Sequence, residues 1–180
     1  MAGNHLTLHT NDRVVVTTSR GNQEKWFDAE KNLWYKVDDG CFEALAEAVS
    51  SEILRNFTNV IRLPGITVAN YWVDTAEVHG LKRVVSVSEN FKREDESLVT
   101  ANTILKNSLG TGYLEIFNRR TSLKERIRLL ADAMEEATGM QDMGAYLTTL
   151  FEIDALFLNQ DRHLNNIALI RDRAGYKPCP

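Results

Sequence analysis

A strongly apolar helical segment that leads directly into a polar loop is the feature that most constrains the fold of this chain. Residues 142–158 have the length of a helix, and apolar side chains lie on most of its faces: Met143, Tyr146, Leu147, Leu150, Phe151, Ile153, Leu156 and Phe157. A helix with so little polar surface is typical of the centre of a packed unit. The next eight residues, 159–166, read Asn-Gln-Asp-Arg-His-Leu-Asn-Asn, and residues 167–177 have the pattern of a β-hairpin. We therefore expect a polar loop held between a buried helix and a hairpin.

The rest of the chain changes from strand-like to helical periodicity along its length. Strands are predicted at residues 13–18, from Lys25, and at 33–37, 66–73 and 83–87. After Gly40 a helix is predicted, with one apolar face made by Phe42, Leu45, Ala46, Val49, Ile53 and Leu54. A further helix is predicted from a capping box at Ser122 and Glu125 to a stop at Gly139. These patterns predict an α+β fold, with an antiparallel sheet and one helix in residues 1–90 and a partly helical unit in residues 91–180.

Composition and charge exclude several kinds of partner. The chain has 180 residues, is 43% hydrophobic and 26% charged, and has a formal net charge of −4, with acidic and basic residues interspersed. Since no basic stripe is present, we expect no nucleic-acid partner. The polar N-terminus and the lack of a long apolar stretch predict no membrane partner. The two cysteines, Cys41 and Cys179, form no paired motif, and a cytoplasmic location is expected.

The spacing of two side chains in the polar loop indicates a chemistry. Asp161 and Asn166 are five residues apart, so that a rigid loop presents a carboxylate and an amide oxygen to the same small volume. A carboxylate beside an incoming hydroxyl can accept its proton, and an amide oxygen is a ligand that Mg²⁺ accepts. The alternative is that these polar residues only fill a turn between helix and strand. The flanking helix and hairpin favour phosphoryl transfer.

This loop resembles the catalytic loop of the kinase superfamily, and most closely that of the HipA-like protein kinases of bacteria. Those kinases carry Asp-x-His-x-x-Asn, to which Asp161, His163 and Asn166 correspond. The resemblance implies a protein-kinase-like fold, with Asp161 as catalytic base, His163 as a second catalytic-loop residue and Asn166 as metal ligand. Where eukaryotic protein kinases have His-Arg before the Asp, this chain has Asn159-Gln160. Phosphoinositide kinases and aminoglycoside phosphotransferases have similar loops, so the loop indicates phosphoryl transfer more specifically than it indicates an acceptor.

An upstream segment resembles the short phosphate loop of the same kinases. Its pattern is Gly-x-Gln-x-Lys, formed here by Gly21, Asn22, Gln23, Glu24 and Lys25. A glycine permits close backbone approach, and successive N–H groups can hold phosphate oxygens. The resemblance implies that Gly21, Asn22, Gln23 and Lys25 bind ATP, whereas an ordinary hairpin turn is the alternative.

The next strand and helix offer the remaining nucleotide-binding residues. Lys36 lies in the centre of the Leu-Trp-Tyr-Lys-Val strand, where it is either a solvent-facing neighbour of buried residues or the lysine that binds ATP phosphates in kinases. The resemblance implies that a helix glutamate pairs with it: Glu47 is preferred because it lies further into the helix, and Glu43, one turn earlier, is the reserve. The alternative is that both are surface carboxylates. By position, residues 84–90 would contact adenine through their backbone.

The hydroxyl residues before the phosphate loop suggest a modification site. In HipA-like kinases, phosphorylation of such a residue can expel the loop, and the resemblance implies that Ser19, or less favourably Thr18, is an autophosphorylation site. The alternative is that Ser19 only forms the turn.

One expected element is missing from the sequence. Kinases hold a second metal ion with an Asp shortly after the hairpin, and Asp172 comes too early for that role. We expect either a truncated kinase or a partner chain that supplies the rest, and little activity from the 180 residues alone. The predicted function is ATP- and Mg²⁺-dependent phosphorylation of Ser or Thr in a protein acceptor. The alternatives are a non-catalytic kinase-like regulatory module and a small-molecule or lipid kinase.

Overall fold

The structure, a computed structural model, describes residues 6–8, 24–38, 40, 42–56 and 66–180. The described residues form two compact units: the first comprises those of Met1–Arg62 and Val68–Phe91, and the second those of Leu63–Thr67 and Lys92–Pro180. Each unit contains both helices and strands, so the prediction of an α+β protein is confirmed.

The first unit is a five-stranded sheet with one helix. Its elements are β1 (Thr7–Leu8), β2 (Lys25–Asp28), β3 (Leu33–Val37), α1 (Glu43–Asn56), β4 (Tyr71–Val78) and β5 (Leu81–Glu89). The strand order is β1-β4-β5-β3-β2, and all neighbours are antiparallel except β1 and β4. The predicted strand at 33–37 is confirmed. The strand predicted at 66–73 is wrong in its first half, since it begins only at Tyr71, and the one predicted at 13–18 lies outside the described residues.

The two faces of this sheet differ in character. Trp26, Tyr35, Val37, Val85 and Val87 lie on one face and form most of a buried apolar core. The strand register places Lys36 opposite Ser86 on the other face, because side chains alternate along each strand. Helix α1 contacts this second, more polar face, as its bonds to Lys36 and Ser86 show.

Helix α1 presents the opposite face from the one that its apolar pattern predicts. Phe42, Leu45 and Val49 are 73%, 52% and 47% exposed, whereas Ala44 and Ser51 are buried. The side of α1 that faces the sheet carries Glu47, which bonds to Lys36 and Ser86 on the polar sheet face. The helix exists as predicted, and its predicted buried face is wrong except at Leu54.

The second unit combines four helices with a three-stranded sheet. Its elements are β6 (Ser97–Thr100), α2 (Ala101–Leu109), α3 (Tyr113–Asn118), α4 (Leu123–Thr138), α5 (Met143–Leu156), β7 (Ala168–Arg171) and β8 (Tyr176–Pro178). The antiparallel pairs β6–β7 and β7–β8 form the sheet, and β7–β8 is the predicted hairpin. The core is built from α2, α4, α5 and β7, in which Leu105, Met134, Leu147 and Leu169 are fully buried.

Helix ends in this unit are partly as predicted. Gly139 ends α4 with a φ of 72°, the left-handed conformation that glycine adopts without strain. The capping box is wrong: α4 begins after Ser122, but the Ser122 side chain makes no capping bond. Instead, Glu135 of α4 accepts a hydrogen bond of 2.8 Å from the Met143 N–H and caps α5.

Helix α5 is buried on one side rather than on most sides. Met143, Tyr146 and Leu147 are buried, but Leu156, the last residue of the helix, is 56% exposed. Among all the residues that the structure describes, no helix is long and apolar enough to cross a bilayer.

Candidate functional site

In the first unit, the strand lysine and the helix glutamate are in contact. Lys36 Nζ forms an ion pair and hydrogen bond with Glu47 Oε1, and both side chains are partly buried. Of the two predicted partners, Glu47 is therefore the one that pairs with Lys36. The solvent-facing alternative for Lys36 does not hold, because the lysine lies beneath helix α1.

A second group holds the same carboxylate. Ser86 of β5 donates a hydrogen bond of 2.5 Å from its hydroxyl to Glu47 Oε2, so each carboxylate oxygen has its own partner. Sequence reasoning missed Ser86, although its position two residues into an alternating Val-Ser-Val-Ser strand placed it on the face opposite the valines.

The environment of Lys36 favours its charged form. Burial alone would lower the pKa of the ammonium, but Tyr71 and Glu47 oppose this effect, and the pKa of Lys36 is raised. The Lys36 Nζ lies 5.2 Å from the centre of the Tyr71 ring, in cation–π geometry. Lys36 therefore remains a cation at physiological pH.

Lys25, the last residue of the predicted phosphate loop, lies next to Lys36. The two residues are directly opposite each other in the β2–β3 ladder and share one face of the sheet. Burial, followed by the positive charge of Lys36, lowers the pKa of Lys25. The carboxylate of Glu47 opposes this lowering of the Lys25 pKa.

The other phosphate-loop residues predicted to bind ATP belong to a part of the chain that the structure does not describe. Gly21, Asn22, Gln23 and the proposed modification site Ser19 lie outside the described residues, and their roles stay predictions. The adenine contact predicted for 84–90 needs correction in its first part. The backbone of Val85–Ser88 pairs with β3 on one side and β4 on the other, and the Asn90 N–H donates to the Asn32 carbonyl at 3.0 Å.

In the second unit, the polar loop brings Asp161 and Asn166 together. The Asn166 amide nitrogen donates to the Asp161 carbonyl at 2.7 Å and to Asp161 Oδ2 at 3.0 Å. Both bonds use nitrogen, so the amide oxygen of Asn166 is left for another role. The Asp161 side chain is 82% exposed and is therefore accessible to an acceptor.

His163 lies beside the same carboxylate. Its Nδ1 accepts a hydrogen bond of 3.2 Å from the Asn165 N–H, and its Nε2 is 3.7 Å from Asp161 Oδ1. With Nδ1 as acceptor, the neutral ring carries its proton on Nε2, which faces Asp161.

The loop is anchored to helix α5 by residues that sequence reasoning left unassigned. Arg162 donates to both carboxylate oxygens of Asp154, and its third nitrogen donates to the Asn166 carbonyl at 2.6 Å. Asn159 also donates to Asp154, at 2.7 Å. Burial would raise the pKa of Asp154, but the hydrogen bonds from Arg162 and Asn159 outweigh it and lower the pKa. Of the two acidic residues in this apolar helix, Glu152 and Asp154, the buried one is Asp154.

A second anchor reaches the loop from helix α2. Asn102 donates from its amide to Asn165 Oδ1 at 2.8 Å, and its N–H donates to the Leu164 carbonyl at 3.0 Å. Tyr113 in turn donates to Asn102 Oδ1 at 2.5 Å. The loop is thus held from two helices, neither of which contributes a predicted catalytic residue.

The charged residues near the hairpin have structural contacts. Asp172 Oδ1 accepts bonds from the Ala174 and Gly175 N–H groups at 2.7 and 3.2 Å, so this carboxylate stabilises the β7–β8 turn. Among the described residues, no three His, Cys, Asp or Glu side chains come together as a ready metal site.

The fold and these contacts define an α+β protein with a lysine–glutamate pair in one unit and an anchored Asp/Asn loop in the other. Comparison with protein-family models, curated proteins and solved structures finds no match to this chain.

Proposed function

We propose that this chain carries nucleotide-binding and catalytic residues of an ATP-dependent phosphotransferase of the HipA-like kinase type. Its acceptor would be a Ser or Thr hydroxyl of a protein. The observation that carries the proposal is the ion pair between Lys36 and Glu47. A strand lysine fixed by a helix glutamate is the arrangement with which kinases bind ATP phosphates.

In this proposal the lysines bind phosphate and the polar loop activates the acceptor hydroxyl. Lys36, held by Glu47, binds phosphate oxygens, and Lys25 adds a second positive charge beside it. Asp161 accepts the proton of the acceptor hydroxyl as the hydroxyl oxygen attacks the γ-phosphorus and the bond to the leaving ADP oxygen breaks. Asn166 holds Asp161 in place through its amide nitrogen.

The loop also fits a role for magnesium. Mg²⁺ takes oxygen ligands and is commonly bound through one or two protein groups together with substrate phosphates. Asn166 would supply its amide oxygen, which its bonds to Asp161 leave available. When bound, the metal ion neutralises charge that develops on the transferring phosphate.

Nucleotide binding is the first test. Calorimetry with ATP and Mg²⁺ should detect binding, and Lys36→Met should weaken it about tenfold, the effect of losing a charge-assisted contact. Lys31→Met is the matched control, because Lys31 is an exposed lysine of the β2–β3 turn that pairs with Asp28. Absence of binding, or equal binding by the wild type and Lys36→Met, would overturn the assignment of this site.

Transfer and acceptor class need a second experiment. The full-length product of the gene that encodes these residues is incubated with radiolabelled ATP and a protein, a phosphoinositide or an aminoglycoside acceptor. We expect label on protein Ser or Thr, and its loss in Asp161→Asn. Label only on a lipid or small molecule supports the alternative kinase classes. Binding without any transfer supports a regulatory module.

A further inference from the structure

Ser86 is the second residue that donates a hydrogen bond to the Glu47 carboxylate, beside Lys36. Lys36 and Ser86 are direct cross-strand partners on β3 and β5, and Glu47 reaches both from above. Because each carboxylate oxygen has a separate partner, the carboxylate cannot rotate without breaking a hydrogen bond. An ion pair alone would leave that rotation free.

Ser86 lies on the middle strand of the five-stranded sheet. Strand β5 is hydrogen-bonded to β3 on one side and to β4 on the other, whereas β2 lies at an edge. The Ser86 side chain is also buried, so water competes little for its hydroxyl. Ser86 therefore fixes Glu47 to a central strand.

Helix α1 depends on polar contacts of this kind for its position. Its most apolar face points away from the sheet. Ser51 links the helix to the start of β4 through bonds to the Ala69 carbonyl and the Tyr71 N–H, at 2.7 and 3.1 Å. The bonds of Glu47 to Lys36 and Ser86 are the corresponding links in the first half of the helix. In that half of the helix Ala44 is buried, whereas Leu45 and Val49 are exposed.

We propose that Ser86 is a positioning residue that orients Glu47, and through it Lys36, for binding the phosphates of a nucleotide. The inference rests on the proposed function for its ligand. Ser86 itself touches neither phosphate nor acceptor in this scheme. Its hydroxyl determines the direction in which the Lys36 ammonium is held.

Three variants test this role. Ser86→Ala removes the hydroxyl, Ser86→Thr keeps it, and Ser50→Ala makes the same chemical change on α1, one turn beyond Glu47. Two quantities are measured for each: the dissociation constant for ATP with Mg²⁺, and the titration of the Lys36 side chain by NMR with ¹³C-labelled lysine. Melting temperatures establish that each variant is folded.

The expected result is specific to the hydroxyl. Ser86→Ala should weaken nucleotide binding about fivefold, the effect of one lost hydrogen bond to a charged group. It should also lower the pKa of Lys36, because Glu47 then holds the ammonium less closely. Ser86→Thr should restore both quantities, and Ser50→Ala should change neither.

The outcomes separate this inference from the proposed function. If Ser86→Ala leaves the Lys36 titration at its wild-type value, Ser86 does not position Lys36, whatever happens to affinity. If Lys36→Met binds nucleotide like the wild type, the proposed function fails, while the Lys36 titration still decides whether Ser86 orients the pair.

Discussion

Arg162 holds Asp154 with two nitrogens, donating from Nε at 2.7 Å and from Nη2 at 2.8 Å to separate carboxylate oxygens. The pair joins the candidate catalytic loop to helix α5, and both side chains are largely buried. Since Arg162 also binds the Asn166 carbonyl, the same guanidinium spans most of the loop. Arg162 therefore links the loop both to helix α5 and to itself.

The fork geometry of Arg162 predicts that lysine cannot replace it. Arg162→Lys keeps the charge but loses the paired donors, and we expect the free energy of unfolding to fall by about 2 kcal/mol. Urea denaturation measures this change. Arg173→Lys, an exposed substitution in the β7–β8 turn, is the control and should stay within about 0.5 kcal/mol of the wild type. Equal stability of the two variants would show that the bidentate pair contributes nothing.

Tyr113 should stabilise the loop from its other side. Tyr113→Phe removes the hydroxyl that binds Asn102, and we expect a loss of about 1 kcal/mol in unfolding free energy. Amide hydrogen exchange should become faster at Asn102 and Asn166, whose N–H groups bind loop carbonyls. Tyr176→Phe is the control, since the Tyr176 ring faces the Arg171 guanidinium and that contact does not need the hydroxyl. Faster exchange in both variants alike would argue against a specific link from Tyr113.

The lowered pKa of Glu96 should make the stability of the protein depend on pH. Its buried carboxylate accepts bonds from the Arg93 N–H and side chain and from Lys177, and these bonds lower its pKa from 4.5 to about 2. Because the folded-state pKa is depressed, the stabilisation is fully present above pH 4.5 and is lost as the pH falls towards 2. Glu96→Gln should therefore be less stable than the wild type at pH 7, and the difference should shrink between pH 4.5 and 2.

Thermal unfolding across that pH range measures the effect of Glu96. Glu94→Gln, an exposed carboxamide substitution two residues earlier, serves as its control and should follow the wild-type curve. A constant difference between Glu96→Gln and wild type at all pH values would contradict a titration origin.

The orientation of helix α1 can be tested with two leucines. Leu54 is 7% exposed and Leu45 is 52% exposed, although both belong to the apolar face predicted from sequence. We expect Leu54→Ala to lower the unfolding free energy by about 2–3 kcal/mol, since it removes buried methyl groups. Leu45→Ala should stay within about 0.5 kcal/mol of the wild type. Similar losses for both variants in urea denaturation would place the predicted face against the sheet after all.

Local pattern was enough to find the elements that carry the candidate site. The strand at Leu33–Val37, the end of α4 at Gly139 and the β7–β8 hairpin follow from residues close together in sequence. Strands β1 and β6 and helices α2 and α3 were missed because they are short or weakly patterned. The pairing of Lys36 with a helix glutamate followed from the resemblance to kinases, and Glu47 was preferred to Glu43 because it lies further into the helix.

The sequence by itself determined which residue types were present for the site and the order in which strand, helix and loop present them. Tertiary structure alone decided which face of α1 meets the sheet, and it brought Ser86 to Glu47 and Lys177 to Glu96. The members of these pairs lie 39 and 81 residues apart. The physical reason is that sequence periodicity indicates only how apolar each face of a helix or strand is. The partner of a buried carboxylate depends instead on which donors the folded strands place opposite it.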